Sequence, residues 1–292
     1  MKKSDFQTIV KNPIQRATRY QEMVGTYFDL VTDSYRQHWG ESFHFAIFSS
    51  SEPLKDALNN TERFIADSGQ FCSGMKILDV GCGVAGPAIN IAAYSGAHVT
   101  GININAQQLE IANRRVKEHG LSDKIELVLA DAMQMPFENE SFDAVYIFEA
   151  GCHMPNKANF YQECALVLRP GGVFVGTDWF TAEDLTTEQK TKYIEPICRY
   201  HAVPNIISLG DLKKCLVSAG LTVEVVENIE NHGNILRNWE LMDTRIAQNI
   251  RGLIPWLLPS TLKMLTKGGY ALLDGVKSGT FMIGHWRARK PV

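Results

Sequence analysis

The chain has 292 residues, of which 45% are hydrophobic and 21% charged, and its formal net charge is −3. These values are ordinary for a soluble globular protein. The absence of a long basic stripe excludes nucleic acid as the main partner. The six cysteines are scattered without a Cys-x-x-Cys pair, so neither a zinc site nor a disulfide framework is indicated. We expect reduced thiols in the cytoplasm.

Residues 1–20 are polar, carry no apolar run of the kind found in a secretion signal, and are expected to be flexible. Aromatic residues then recur as far as Phe48, and several of them, such as Tyr27 and Tyr35, lie at helical spacing. We therefore predict a helical lid over residues 21–70. Its aromatic side chains either pack against one another or cover a small-molecule site.

Residues 71–180 alternate apolar strands with helical segments, beginning with a strand at Lys76–Val80. Such alternation predicts a parallel sheet with crossover helices. Residues 181–292 then hold amphipathic helices and two more strands, the last at Phe281–Ala288. The predicted fold class is α/β, a Rossmann-like seven-stranded sheet with an antiparallel final strand. An N-terminal helical lid and a helical cap inserted late in the sheet complete the prediction.

A short apolar segment, Leu253–Pro259, lies within the predicted cap and is broken by prolines. A membrane-spanning helix needs about 18 consecutive apolar residues, so this segment is too short to span a bilayer. It and its Trp256 either pack within the cap, line a substrate cavity or touch a membrane surface. Packing within the cap is the favoured interpretation.

A glycine-rich turn follows the first core strand, with glycines at Gly81, Gly83 and Gly86 and a predicted helix beyond them. Glycines let a ligand approach the backbone closely, and the start of the helix offers unpaired N–H groups. Dinucleotide-binding proteins share this pattern. Here Asp79 lies two residues before the first glycine, where it would repel a pyrophosphate and attract a cationic cofactor with a free amino group.

Polar residues follow the next two strands. A nicotinamide-binding protein would carry an acidic residue about 20 residues beyond the glycines, but the chain has Asn103 and Asn105 there. Asn103 is able to accept one hydrogen bond from a ribose and to donate another. Asp131 and Ala132 follow the third strand, where they either meet an adenine ring or belong to a solvated loop.

The fourth strand leads into Glu149 and His153, and the fifth ends near Asp178. Ligands of open α/β sheets bind at the carboxyl ends of the strands, so these residues are candidates for the chemistry. His153 either takes a proton from a hydroxyl group or only bonds the backbone, and Asp178 is a candidate to orient such an imidazole.

Beyond the glycine turn, which resembles the first motif of class I S-adenosylmethionine (SAM) methyltransferases, the chain resembles the sterol C-methyltransferase family. Related enzymes that act on sugars, indoles and other secondary metabolites share much of the pattern. The matching blocks are Tyr27–Asp33, Trp39–Phe45, Leu78–Pro87, Glu149–Pro155, Leu168–Gly172 and Ala288–Pro291.

This resemblance implies SAM as the cofactor and S-adenosylhomocysteine as its product. It also implies roles by position: Asp79, Gly81 and Gly83 at the amino-acid end, Asn103 and Gln108 near the ribose, Asp131 and Ala132 at adenine, Tyr27 and Trp39 in the lid, and Glu149 at the rim shared with the acceptor.

Sterol enzymes carry an acidic pair in the cap, whereas the matching stretch here, Ile197–Pro204, has no acid and contains His201. They also have Glu where this chain has Asp178. We therefore favour O-methylation of a small lipophilic secondary metabolite, with His153 as base and with Glu149, Asp178 and His201 as further candidates. C-methylation of a sterol, isoprenoid or aromatic carbon is the alternative, followed by N-methylation. A SAM-binding module without catalysis is disfavoured by the residues at the rim.

Overall fold

The computed structural model describes residues 3–250 and 260–292. The segment Leu253–Pro259, for which packing, cavity and membrane roles were open, lies outside the described residues. Seven strands form one sheet in the order β3-β2-β1-β4-β5-β7-β6. The strands are β1 (Lys76–Val80), β2 (His98–Asn103), β3 (Ile125–Leu129), β4 (Phe142–Phe148), β5 (Leu168–Thr181), β6 (Thr222–Asn228) and β7 (Phe281–Arg289).

Strand β7 runs antiparallel to both of its neighbours, while the other pairs in the sheet are parallel. The predicted fold class, including the antiparallel final strand, is confirmed. The central strands are buried almost throughout, as in β1 and β4, because helices cover both faces of a parallel sheet. Their carboxyl ends therefore meet at one edge of the sheet.

Twelve α-helices are present in the described part of the chain, and they divide into N-terminal, core and cap groups. They are α1 (Lys3–Ile9), α2 (Pro13–Thr18), α3 (Tyr20–His38), α4 (Leu54–Ser68), α5 (Gly86–Ser95), α6 (Ala106–Glu118), α7 (Lys157–Val167), α8 (Thr187–Gln189), α9 (Glu195–Tyr200), α10 (Leu209–Ser218), α11 (Leu236–Ile250) and α12 (Ser260–Lys277). None of the described helices combines the length and the apolar character that crossing a bilayer would require.

The N-terminal segment, which the sequence predicted to be flexible, forms helices α1 and α2 instead. Phe6, Ile9 and Val10 are buried against helix α3, because the few apolar residues of this polar segment fall on one side. The buried Arg16 guanidinium donates to both carboxylate oxygens of Glu195 in α9, at 2.8 and 2.7 Å. This bidentate pair joins the N-terminal helices to the cap.

The cap begins later than the sequence predicted. A helix was expected from residue 181, but β5 continues to Thr181 in its ladder with β7. The helix starts at Thr187 because Thr186 and Gln189 form a reciprocal capping box. A π-helical stretch, Lys190–Ile194, then connects α8 to α9.

Candidate active site

A cavity of about 240 Å³ lies at the carboxyl ends of β1, β2, β4 and β5. Helix α3 and the loop that follows it cover one side, and helices α11 and α12 contribute to another. Its walls contain all ten positions proposed for the cofactor or lid, including Asp79, Asn103 and Asp131, as well as the imidazoles of His153 and His201. The sheet edge and the lid therefore meet at one site.

The three glycines of the turn serve different purposes. Gly81 has φ +83°, and a Cβ there would come within 2.4 Å of the Ala150 Cβ. At Gly86 a Cβ would come within 2.2 Å of the Glu41 carbonyl oxygen. Gly83, at φ +54°, has no described atom nearer than 3.9 Å to such a Cβ and lies on the cavity wall. Gly83 is thus the glycine that leaves room for a ligand.

Asp79 ends the central strand at the floor of the cavity and is 2% exposed. Its Oδ2 atom has no hydrogen-bond partner among the described residues. Burial raises the pKa of this carboxyl to about 7, since a charged carboxylate loses its hydration there. A cationic donor placed in the cavity would satisfy this oxygen.

The predicted ribose residues form a continuous network. Asn103 donates to the Gly83 carbonyl at 3.2 Å and to Gln108 Oε1 at 2.8 Å. Gln108 in turn donates to the Thr32 hydroxyl of helix α3 at 3.0 Å. Asn105 caps α6 and also donates to the Asp29 carboxylate of α3 at 2.8 Å. The end of β2 is therefore bonded directly to the lid.

Asp131 and Ala132 lie where the sequence predicted contacts to adenine, on the cavity wall after β3. The Tyr20 hydroxyl and the Gln21 side-chain amide, both at the start of α3, donate to Asp131 Oδ2. Its Oδ1 accepts from the Met133 backbone N–H at 2.9 Å. The lid helix thus contacts this end of the cavity too.

Glu149 occupies a left-handed backbone conformation, with φ +52°, directly after β4. Its two carboxylate oxygens accept from the Phe45 backbone N–H at 2.7 Å and from the Trp179 indole N–H at 2.6 Å. Burial raises the pKa of this carboxyl to about 7. Glu149 therefore holds two aromatic walls of the cavity together.

His153 closes the short turn after Glu149 and lines the cavity. Its Nδ1 lies 3.1 Å from the carbonyl oxygen of Ala202, so Nδ1 carries the hydrogen and Nε2 keeps a lone pair. Burial lowers the pKa of this imidazole to about 4. Ala202 itself has φ +53°, a strained conformation that directs its carbonyl toward the ring.

The structure does not pair Asp178 with an imidazole, as the sequence analysis had suggested. Asp178 Oδ1 accepts from the Trp179 backbone N–H at 2.7 Å, while the partner of His153 is a backbone carbonyl. Burial raises the pKa of Asp178 to about 6. Asp178 lies beneath the Gly151 turn: a Cβ at Gly151 would come within 2.5 Å of its Oδ2.

Tyr27, Tyr35 and Trp39 of the lid face the cavity together with His201. The Tyr27 and Tyr35 hydroxyls are 2.6 Å apart, and Tyr27 Oη is 3.3 Å from His201 Nδ1. The Trp39 indole donates to the His44 carbonyl at 3.0 Å. Burial lowers the pKa of His201 to about 4, as it does for His153, so these two imidazoles are neutral at pH 7.

Two buried groups beside the cavity were missed by the sequence analysis. Glu62 in α4 accepts from the Ser42 hydroxyl at 2.5 Å and pairs with His44 Nε2 at 3.2 Å. Although burial opposes it, this carboxylate raises the pKa of His44. Lys157 donates to three carbonyls of the turn that carries His153, each at 2.8 Å. A charged residue on the apolar face of α4 was the available signal for Glu62.

No set of three or more His, Cys, Asp or Glu side chains that could hold a metal ion occurs in the described ranges.

Residues 78–176 match the family model described as a methyltransferase domain. The chain is 37% identical over 255 residues to the sterol 24-C-methyltransferase ERG6A of Gibberella zeae, which covers 85% of this chain and 62% of that protein. It is 38% identical over 212 residues to the 24-methylenesterol C-methyltransferase 2 of Arabidopsis thaliana, covering 72% and 59%.

Solved structures share the fold over nearly their whole length. The mycolic acid cyclopropane synthase CmaA1 superposes with a TM-score of 0.80 at 17% identity, covering 91% of this chain and 97% of that one. The [4+2]-cyclase SpnF gives 0.78 at 23% identity, covering 93% and 96%. Because proteins of this fold catalyse different reactions, these similarities establish the architecture alone.

The fold and the glycine turn therefore carry a sequence that is similar, over residues 78–176, to a methyltransferase domain. Over a longer stretch, the chain is similar to the sterol 24-C-methyltransferases. The chain spans about three fifths of the length of these curated relatives, 62% in the case of the Gibberella zeae enzyme.

Proposed function

We propose that the protein transfers a methyl group from SAM to an alkene carbon of a lipophilic sterol or isoprenoid. One observation carries the choice of carbon over oxygen: His153 and His201 bond a backbone carbonyl and a tyrosine hydroxyl rather than a carboxylate, and burial lowers the pKa of both imidazoles to about 4. The similarity to sterol 24-C-methyltransferases points the same way. O-methylation, favoured from the sequence, becomes the second candidate.

The described residues fit the cofactor. Bound SAM supplies an electrophilic methyl group on a sulfonium centre. The unpartnered Asp79 Oδ2 would accept from its amino group, and the open surface of Gly83 would let its amino-acid end lie against the backbone. Asn103 with Gln108 would lie at the ribose, and Asp131 with Ala132 at adenine.

The acceptor end of the cavity is lined mainly by aromatic and aliphatic side chains. Phe45 stacks on Trp239 with ring centroids 4.6 Å apart and on Trp179 at 6.2 Å. Such walls exclude water and hold a lipophilic acceptor close to the methyl donor, an alignment that is worth roughly 7–11 kcal/mol. Methylation of an alkene carbon leaves a carbocation that the site must stabilise. Aromatic faces attract a cation that lies within about 6 Å of the ring. Glu149 fixes this wall through Trp179 and Phe45.

The two reactions demand different bases. An aliphatic hydroxyl is a weak acid, and its deprotonation needs a base whose pKa lies near the working pH. Burial lowers the pKa of His153 to about 4, which leaves it poorly matched to that task. A carbocation next to a C–H bond is a strong acid, so a weak base suffices. The lone pair on His153 Nε2 is the observation that keeps O-methylation as the second candidate.

A matched pair of acceptors separates the two reactions. The enzyme would be incubated with SAM labelled in its methyl group and either a sterol with a side-chain alkene at carbon 24 or the same sterol with a saturated side chain. Both carry the same hydroxyl. We expect label only in the alkene, attached to carbon, as read by mass spectrometry. Labelling of both sterols at oxygen would instead establish O-methylation.

Cofactor binding is tested separately from the acceptor. S-adenosylhomocysteine should raise the thermal unfolding temperature, because a ligand that binds only the folded state stabilises it. NAD at the same concentration serves as the control and should have no effect. Stabilisation by NAD but not by S-adenosylhomocysteine would refute the assignment of the cofactor.

A further inference from the structure

Three side chains of the acceptor end are hydrogen-bonded in series. The hydroxyl of Tyr35 is 2.6 Å from that of Tyr27, and the Tyr27 hydroxyl is 3.3 Å from His201 Nδ1. Tyr35 is only partly buried, whereas Tyr27 is 2% and His201 6% exposed. The series therefore runs from a partly buried tyrosine on the cavity wall to a buried imidazole.

The position of His201 is built for an imidazole. On its Nε2 side the ring lies against Gly268, where a Cβ would come within 2.7 Å of Nε2. Trp179 meets the ring edge-on, with centroids 5.1 Å apart. Burial raises the pKa of Tyr35 to about 12, so Tyr35 keeps its proton at neutral pH and passes one on only when it receives another.

His153 is the competing acceptor of a proton, and its surroundings oppose a positive charge. The ammonium group of Lys157 bonds the carbonyls of the same turn and, with burial as the larger cause, lowers the pKa of His153. For His201 the lowering is due to burial. Of the two imidazoles, His153 is thus the one whose own turn holds a bonded cation, which opposes a proton there.

We infer that His201 accepts, through Tyr27 and Tyr35, the proton that the acceptor loses after C-methylation. The inference rests on the proposed function. After methyl transfer, a C–H bond next to the cationic carbon breaks and its electrons form the new alkene. The proton goes to the Tyr35 oxygen, the Tyr35 proton to Tyr27, and the Tyr27 proton to Nδ1 of a His201 that carries its hydrogen on Nε2. The positive charge, initially on the sulfonium, ends on the imidazolium.

The test follows single turnovers with SAM and the sterol that has an alkene at carbon 24. Both His201→Gln and Tyr35→Phe should slow formation of the methylated alkene by about 10²-fold, the usual scale for proton transfer by a positioned group. Each should also shift the product toward a methylated alcohol, because water then captures the cation. This shift in product ratio is a readout that loss of packing alone would not produce.

His285→Gln is the matched control, since His285 is equally buried but bonds the Gly176 carbonyl outside the cavity. It should lower stability without changing the product ratio, and S-adenosylhomocysteine binding should be retained in all variants. If wild-type enzyme methylates carbon but the ratio is unchanged in His201→Gln and Tyr35→Phe, the relay is overturned. If the ratio shifts only in His153→Gln, His153 is the acceptor of the proton. If the wild type does not methylate carbon, the proposed function itself fails.

Discussion

The two ends of the cavity are built in different ways. At the cofactor end, Asp79, Gly83 and Asn103 lie directly at strand ends, and backbone and amide groups fix their positions. At the acceptor end, Tyr27, Trp179 and His201 come from a lid helix, a strand and the cap, and meet only after folding. One end is specified by local sequence, the other by packing between distant segments.

The ends also differ in how burial acts on ionisable groups. Burial raises the pKa of Asp79 at the cofactor end and lowers the pKa of His201 at the acceptor end. Both shifts favour the uncharged form of the side chain in the ligand-free protein. A cationic cofactor would reverse the preference of Asp79, whereas a neutral lipophilic acceptor leaves the imidazoles as they are. Under the proposed function, charge would thus be recognised at one end only.

The substitution with the largest expected effect tests whether close packing fixes the backbone at the cofactor end. Gly81→Ala should lose about 2–5 kcal/mol of unfolding free energy, from the left-handed conformation and the overlap with Ala150. Gly120→Ala is the control, since its φ of +68° is similar but no atom lies within 4 Å. Urea unfolding measures both. Equal losses would mean that the contact with Ala150 is unimportant.

Asp79→Asn should weaken S-adenosylhomocysteine binding by about 10- to 100-fold, because a charge-assisted hydrogen bond contributes roughly 1.5–3 kcal/mol. Calorimetric titration at pH 8 gives the affinity. The control is Asp143→Asn, which lies at the start of β4 and pairs with Arg169. Asp143→Asn should bind normally; a similar loss there would show that the effect is not specific to the cavity.

Glu149→Gln should disturb the acceptor end, because an amide cannot accept from both Phe45 and Trp179. One buried donor is then left unpaired, at a cost of about 1–3 kcal/mol in unfolding free energy. Glu163→Gln is the control, because the Glu163 carboxylate accepts one backbone N–H, from Met135, and an amide oxygen replaces it. Denaturant unfolding with tryptophan fluorescence compares them. Identical costs would contradict the bridging role.

The smallest expected effect is a dependence of the unfolding free energy on pH, with opposite signs at the two ends of the cavity. The folded-state pKa of Asp79, about 7, lies above its unfolded value. Its contribution to the unfolding free energy is therefore lost as pH rises from about 4 to 7. The pKa of His201, about 4, lies below its unfolded value, so its contribution is lost as pH falls from about 6.5 to 4.

Unfolding at pH 5 and pH 7.5 measures this difference. Asp79→Asn should lose more unfolding free energy at pH 5 than at pH 7.5, and His201→Gln should lose more at pH 7.5 than at pH 5. Each difference should be about 1–2 kcal/mol. The wild type at both pH values is the reference. Changes of the same sign in the two variants would remove the contrast between the ends.

The sequence predicted the sheet correctly, because strand, turn and helix signals are local. Asp79, Gly83 and Asp131 all line the cavity as expected. It did not predict the partner of His153, which is a backbone carbonyl of the cap, nor the bridge from Glu149 to Trp179. Such contacts depend on how the cap and lid dock on the sheet, and residue type alone does not encode them.

Two of the three glycines in the turn are required by neighbouring chain segments rather than by a ligand. Gly81 accommodates Ala150, and Gly86 accommodates the carbonyl of Glu41. A descendant of this protein that had lost its enzymatic activity would still need both residues in order to fold. Their presence in a homologue is therefore evidence of inherited architecture, and under the proposed function Gly83 is the residue that would report a retained ligand.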